Sequence, residues 1–158
     1  MAEIPMNVVI NQILAVLRET FEGPAKKWSY FTDNAPDAGY FGSLKNLTAE
    51  EASRITGGSS IVSHVYHAIF ALNASSKAIG GDQSPQNWTQ SWSVQTADET
   101  KWSELLSQLR EAYSHLVKTI ELNAATSQEA FGETIGAVAH AAFHLGAIRQ
   151  KLALQRST

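Results

Sequence analysis

The sequence predicts an all-α fold, a bundle of four helices with long connections after the first and the second. Three observations carry that reading. Four segments repeat apolar residues at the three- and four-residue spacing of one helix face, and no segment alternates apolar and polar residues as a half-buried strand does. Capping pairs of the form hydroxyl-x-x-Glu also recur, at Thr48/Glu51, Thr96/Glu99 and Thr126/Glu129, each ahead of a helical stretch.

The first predicted helix runs from Pro5 to Phe21, where Val8, Val9, Ile13, Val16, Leu17 and Phe21 share a face. Pro5 suits a first helical position, and Gly23-Pro24 provides the stop. Residues 24 to 46 carry Gly, Pro, Asn and Asp at short intervals together with Trp28, Tyr30, Phe31 and Tyr40. A disordered linker would lack those rings, so this stretch reads as an ordered loop packed over one end of the bundle.

Thr48 and Glu51 open a short helical turn that Gly57-Gly58 interrupts. Ser59 or Ser60 then caps a second helix from about Ser60 to Ile79, and a polar connection to Gln95 follows, containing Trp88 and Trp92. The third helix opens at Thr96/Glu99 and carries Trp102, Leu105, Leu106, Leu109, Tyr113, Leu116, Val117 and Ile120 on one face. The fourth opens at Thr126/Glu129 and continues to about Leu154. It holds no Asp, Glu, Lys or Arg from Thr134 to Ile148, which predicts burial on most sides.

At 158 residues and 44% apolar content, the chain suits a single domain over residues 1–158, with a core that needs no staples. Its 12 basic and 15 acidic residues are dispersed and sum to a net charge of -3, so no basic stripe exists to track nucleic acid or an anionic membrane. Without cysteine there are neither disulfides nor thiolate ligands, and a metal must be held by imidazole, carboxylate or water. The opening MAEIPMN lacks the basic start and apolar core of a signal peptide, and no later run approaches membrane-spanning length. A soluble, cytoplasmic protein is expected.

The fourth helix contains HAAFH, and residues four apart on a helix project from one face about 5–6 Å apart. His140 and His144 can therefore reach one metal ion. An unpaired buried imidazole is costly, so in this uncharged setting each needs a hydrogen-bond partner or a metal, and the pair alone leaves both readings open. The second helix offers His64 and His67, three apart, either of which could complete a three-histidine site. Three neutral imidazoles leave a coordination position for water or substrate, as catalytic sites do, and suit zinc, nickel, copper and iron alike.

The remaining candidates are weaker. His115 borders the apolar stripe of the third helix with no histidine at helical spacing and reads as a surface or boundary residue. Glu133, seven residues before His140, reads as a solvated or capping acid. Trp28, Tyr30, Phe31, Trp88 and Trp92 could line a pocket mouth, but loop aromatics more often anchor their own loops, and that reading is preferred. There is no phosphate-binding glycine loop, nucleophile elbow or HExxH.

Four segments together, WSYFTDNAPDAGYFGSLKNLTAEEAS, SSIVSHVYHAIFALN, NWTQSW and AVAHAAFHLGAIRQ, resemble the DinB/YfiT-like superfamily over nearly the whole chain. The most specific is the last, where the family's histidine pair followed by Gly and Ile-Arg-Gln is matched by His140, His144, Gly146, Ile148, Arg149 and Gln150. The resemblance implies a four-helix bundle of the DinB/YfiT type and a divalent metal, zinc or nickel foremost, with iron, manganese or copper as alternatives. In the family's second-helix motif the ligand lies seven residues after a Ser or Thr followed by an aliphatic residue. Ser60 and Ile61 fit it and make His67 the third ligand beside His140 and His144. His64 then supports a ligand or faces substrate, with an exchange of roles between the two left open.

Family members include thiol-dependent transferases using bacillithiol or mycothiol and a maleylpyruvate isomerase. The resemblance thus implies a small-molecule substrate, with a low-molecular-weight thiol among the candidates, while the number of loop aromatics would also suit a homodimer interface. A metal-dependent hydrolase and a non-catalytic metal-binding bundle are the alternatives.

Overall fold

A computed structural model describes residues 3–25 and 27–156, and the protein is all-α. Helix α1 spans Met6–Glu22, α2 Tyr40–Leu44, α3 Ala49–Ser53, α4 Ile61–Ile79, α5 Glu99–Asn123 and α6 Gln128–Arg156, with a 3-10 turn over Trp88–Trp92 between α4 and α5. No strand forms among the described residues, the nearest approach being an isolated bridge between Thr56 and Ser59. The expected helices thus correspond to α1, α4, α5 and α6.

In α1 the proline lies one position earlier than expected. Pro5 has an extended ψ of 140° and sits outside the helix as its cap, its carbonyl accepting from the amides of Val8 and Val9. Ile10, Leu14, Leu17 and Phe21 form the buried face. Each contributes about 1.5–3 kcal/mol by leaving water. The helix stops at Gly23, whose φ of 89° favours glycine and where a Cβ would come within 2.3 Å of the Pro36 carbonyl oxygen.

The described residues after α1 pack back on the bundle, as their rings suggest, and include the turn α2. The Glu19 carboxylate gathers it by accepting from the amides of Tyr30, Phe31 and Thr32 and the hydroxyl of Thr32. Tyr40 stacks on Phe21 at 4.7 Å, and its hydroxyl donates to the carbonyl of Ala141 on α6 at 3.1 Å. This loop therefore joins α1 to α6.

The expected capping boxes divide. Thr48/Glu51 caps α3, and Ser60 caps α4 with Ser63 as its reciprocal partner. At α5 the cap is Asp98 rather than Thr96, because the chain is extended at residue 98 and its carboxylate accepts the Lys101 amide at 2.7 Å. Glu99, not needed for capping, instead accepts the Ala49 amide of α3 at 2.9 Å. At α6 the cap is Ser127, whose Oγ accepts from the Ala130 amide, since the Thr126 hydroxyl is already donated back to Asn123 at the end of α5.

Helix α4 packs against α5 and α6, and α1 packs against the same two, so the four long helices enclose one core. The expectation that α6 is buried on most sides fails. Ala137, Val138, Ala141, Leu145 and Ile148 are buried, but Ile135 is 48% and Phe143 71% exposed, with Ala139 between them also exposed. Uncharged composition carries no hint of direction, and among the described residues α6 packs chiefly against α1 and α4, which leaves one side largely uncovered. No helix among the described residues is long and apolar enough to cross a membrane.

Candidate metal centre

The interface of α4 and α6 is lined by small residues, Ala68 and Ala71 on one helix and Ala137 and Ala141 on the other. Where side chains are this small, the two backbones approach closely. His67 of α4 and His140 and His144 of α6 then meet across the seam, offering one nitrogen each within 4.8 Å of one another. Nε2 of His140 lies 3.1 Å from Nε2 of His67 and 3.2 Å from Nε2 of His144. The same ring atom of each imidazole faces the centre.

The second nitrogen of each ring explains that convergence. The hydroxyl of Ser91, in the 3-10 turn, lies 2.6 Å from the Trp88 carbonyl, to which it donates, and 2.7 Å from Nδ1 of His67. With its one proton engaged, Ser91 accepts from His67, so His67 carries its proton on Nδ1 and turns a lone pair inward. Nδ1 of His144 faces Nδ1 of His64 at 3.0 Å, and Nε2 of His64 faces the Ser59 hydroxyl at 3.1 Å. His140 is half-buried and has no hydrogen bond at Nδ1 among the described residues.

Electrostatics keep these rings neutral. Burial, then the neighbouring His140, pushes His67 down to about 4. Burial, followed by His140, His67 and His64, pushes His144 down to about 3. Burial, Lys151 and His67 bring His64 to about 4, and burial lowers His140 as well. At neutral pH the centre therefore presents lone pairs rather than charges.

This donor set fits a divalent cation. Tetrahedral ligation at about 2.0–2.1 Å per metal–nitrogen bond spaces the nitrogens about 3.3–3.4 Å apart, near the 3.1 and 3.2 Å observed. Nitrogen donors without thiolate or carboxylate suit zinc, nickel, copper or iron. His140 also borders a cavity of about 270 Å³ whose wall includes Ser75, Gln86, Trp88 and Glu133. Small molecules can therefore approach one edge of the centre.

Of the predicted residues, His67, His140 and His144 come together. His64 contacts His144 without joining the converging set. His115 is exposed on α5 beside Asn73 and Gln108, away from the cluster, and Glu133 is exposed on the cavity wall.

The aromatic residues require a correction. Trp92 stacks on His67 with centroids 4.2 Å apart and planes 18° from parallel, and Trp88 contacts His67 and His140. These two therefore pack on the histidines and are more than anchors of their own loop. Trp28 and Tyr30 lie elsewhere, beside Gln12, Arg18 and Glu22 around a separate cavity. Ser91 lies within the NWTQSW segment but carries no spacing or motif that marks it as a partner of His67.

Comparison with protein-family models, curated proteins and solved structures gives no match for this chain.

Proposed function

We propose that the protein is a DinB/YfiT-like metalloprotein of four-helix-bundle type. In this reading it holds one divalent ion, zinc or nickel before iron, manganese or copper, through Nε2 of His67, His140 and His144. The convergence of those three nitrogens carries the reading, and the HAAFH-x-G-x-I-R-Q pattern supports the family. Three protein ligands leave a coordination position open.

The proposed activity is enzymatic, with transfer of a low-molecular-weight thiol first and metal-dependent hydrolysis second. The ion would supply Lewis acidity, lowering the pKa of a thiol or water in its open position. The protein's part is positional. Ser91 orients His67, Trp92 covers the face of that ring, and the cavity beside His140 gives a small molecule access flanked by Gln86 and Glu133. The absence of cysteine suits a reaction whose thiol is a substrate. A cytoplasmic location and no nucleic-acid partner belong to the same reading.

A second copy of the chain is the proposed cover for the uncharged side of α6. Its support is the exposed line of Ile135, Ala139 and Phe143, an apolar strip of the kind that marks protein contacts.

The deciding experiment is metal analysis of protein purified without a histidine tag, with His67, His140 and His144 each replaced by alanine. About one equivalent of metal in the parent and much less in every variant is expected. Unchanged metal content in all three variants would remove the site. Turnover of electrophiles with a panel of thiols, with and without added metal, then separates transferase from hydrolase or a non-catalytic bundle.

A further inference from the structure

His64 is buried at the same seam yet is not one of the converging three, and the hydrogen bonds around it assign it a different task. Its Nδ1 lies 3.0 Å from Nδ1 of His144, and its Nε2 lies 3.1 Å from the hydroxyl of Ser59. We propose that His64 is a positioning residue which, by accepting the Nδ1 proton of His144 and donating its own to Ser59, turns the Nε2 lone pair of His144 into the centre. This rests on the three-histidine metal reading and adds an element to it.

Proton placement decides which nitrogen of His144 is free. Between two neutral imidazoles joined through their Nδ1 atoms, one must donate and the other accept. If protons point from Ser59 to His64 to His144, the remaining proton of His144 sits on Nε2, facing His140, and no cation can bind there. If they point from His144 to His64 to Ser59, Nε2 is free. The arm therefore has two directions, and only one permits ligation. His67 has no such choice, because the Trp88 carbonyl takes the Ser91 proton.

The outer end of the arm is fixed independently. Ser59 lies in the turn made by Gly57 and Gly58, whose φ values of 62° and 85° close the bridge from Thr56 to Ser59. The buried Lys151 amine donates to the carbonyls of Thr56 and Ser59. The hydroxyl of Ser59 is thus held where His64 can reach it. Trp92 meets the His64 ring edge-on at 5.2 Å and limits its rotation.

The test compares zinc affinity, by competition with a chromophoric chelator, in the parent protein and in His64→Leu, His64→Asn and Ser59→Ala. It is joined to nitrogen NMR of the His144 ring in the zinc-loaded parent. His64→Leu should weaken zinc by about 10–100-fold, the usual effect of removing a partner of a ligating histidine. His64→Asn, whose side-chain oxygen can accept the same proton, should restore most of the loss, and Ser59→Ala should fall between. His144 should be protonated at Nδ1 and bound through Nε2. Parent-like affinity in His64→Leu, equal loss in His64→Asn, or ligation through Nδ1 of His144 would overturn the role of His64 alone. A parent that takes up no zinc or other divalent metal would remove the metal reading and this one with it.

Discussion

The Ser91 hydroxyl sits 2.7 Å from Nδ1 of His67 and gives its only proton to the Trp88 carbonyl, 2.6 Å away. A loop residue 24 positions along the chain from His67 thereby decides which nitrogen of that ring is free. Ser91 is fully buried, so bulk solvent does not reach this contact.

Ser91→Ala should therefore leave Nδ1 of His67 without a partner, at a cost of about 1–3 kcal/mol in stability. It should also weaken metal binding by about 10–100-fold. Chelator competition and urea unfolding measure the two effects, and Ser91→Thr, which keeps the hydroxyl, should recover much of both. An alanine variant with unchanged affinity would show that the tautomer of His67 is set by something else.

How far the sequence foretells this site depends on whether its parts share a helix. His140 and His144 lie one turn apart on α6, so their spacing alone puts them on one face. His64 and His67 are also one turn apart and both face α6, and spacing cannot say which of them joins His140 and His144 at the centre. The Nε2–Nε2 contact with His140 singles out His67. Ser91, Trp88 and Trp92 reach the histidines only because the second connection folds back over α4, a tertiary event with no local periodicity. The misplaced caps have a local cause: Thr96 and Asp98, and likewise Thr126 and Ser127, all have capping side chains. The turn of the backbone chooses between neighbours that a motif treats alike.

The metal-free protein should lose stability as pH falls from about 6.5 towards 4. His67, His64 and His144 are held at about 4, 4 and 3 when folded, whereas free imidazole titrates near 6.5. Between those values the unfolded chain binds more protons, so unfolding gains, and above about 6.5 the effect vanishes. On the order of 1 kcal/mol per imidazole at pH 5 implies a drop of several degrees in Tm. Thermal scans at pH 7.5 and 5, repeated with His64→Leu, measure it. A pH-independent Tm over this range would contradict the depressed values.

Glu19→Gln should loosen the first connection without touching the centre. Burial alone would raise the Glu19 carboxyl, but the amides of Tyr30, Thr32 and Phe31, with the Thr32 hydroxyl, outweigh it and hold it below its ordinary value. Replacing a carboxylate that accepts several hydrogen bonds costs about 1–3 kcal/mol. Urea unfolding should show the loss, and hydrogen exchange should quicken at residues 30–32 while metal affinity stays put. Unchanged exchange there would mean that the loop is held by other contacts.

Phe143→Glu tests the uncovered side of α6. Phe143 is 71% exposed, so the substitution should leave helix content and monomer stability nearly unchanged. Light scattering after size exclusion should report a dimer for the parent and a monomer for the variant. A monomeric parent at high micromolar concentration would refute the proposed second copy.

The placement of the ligands has a kinetic consequence. His67 and His140 are 73 residues apart in sequence, so an ion held between them is a reversible cross-link closing a long loop. It can form only once α4 and α6 have docked, and this docking is expected to follow the folding transition state. Loading the centre should therefore slow unfolding far more than it speeds folding, and the persistence of the folded chain would depend on how long the ion stays.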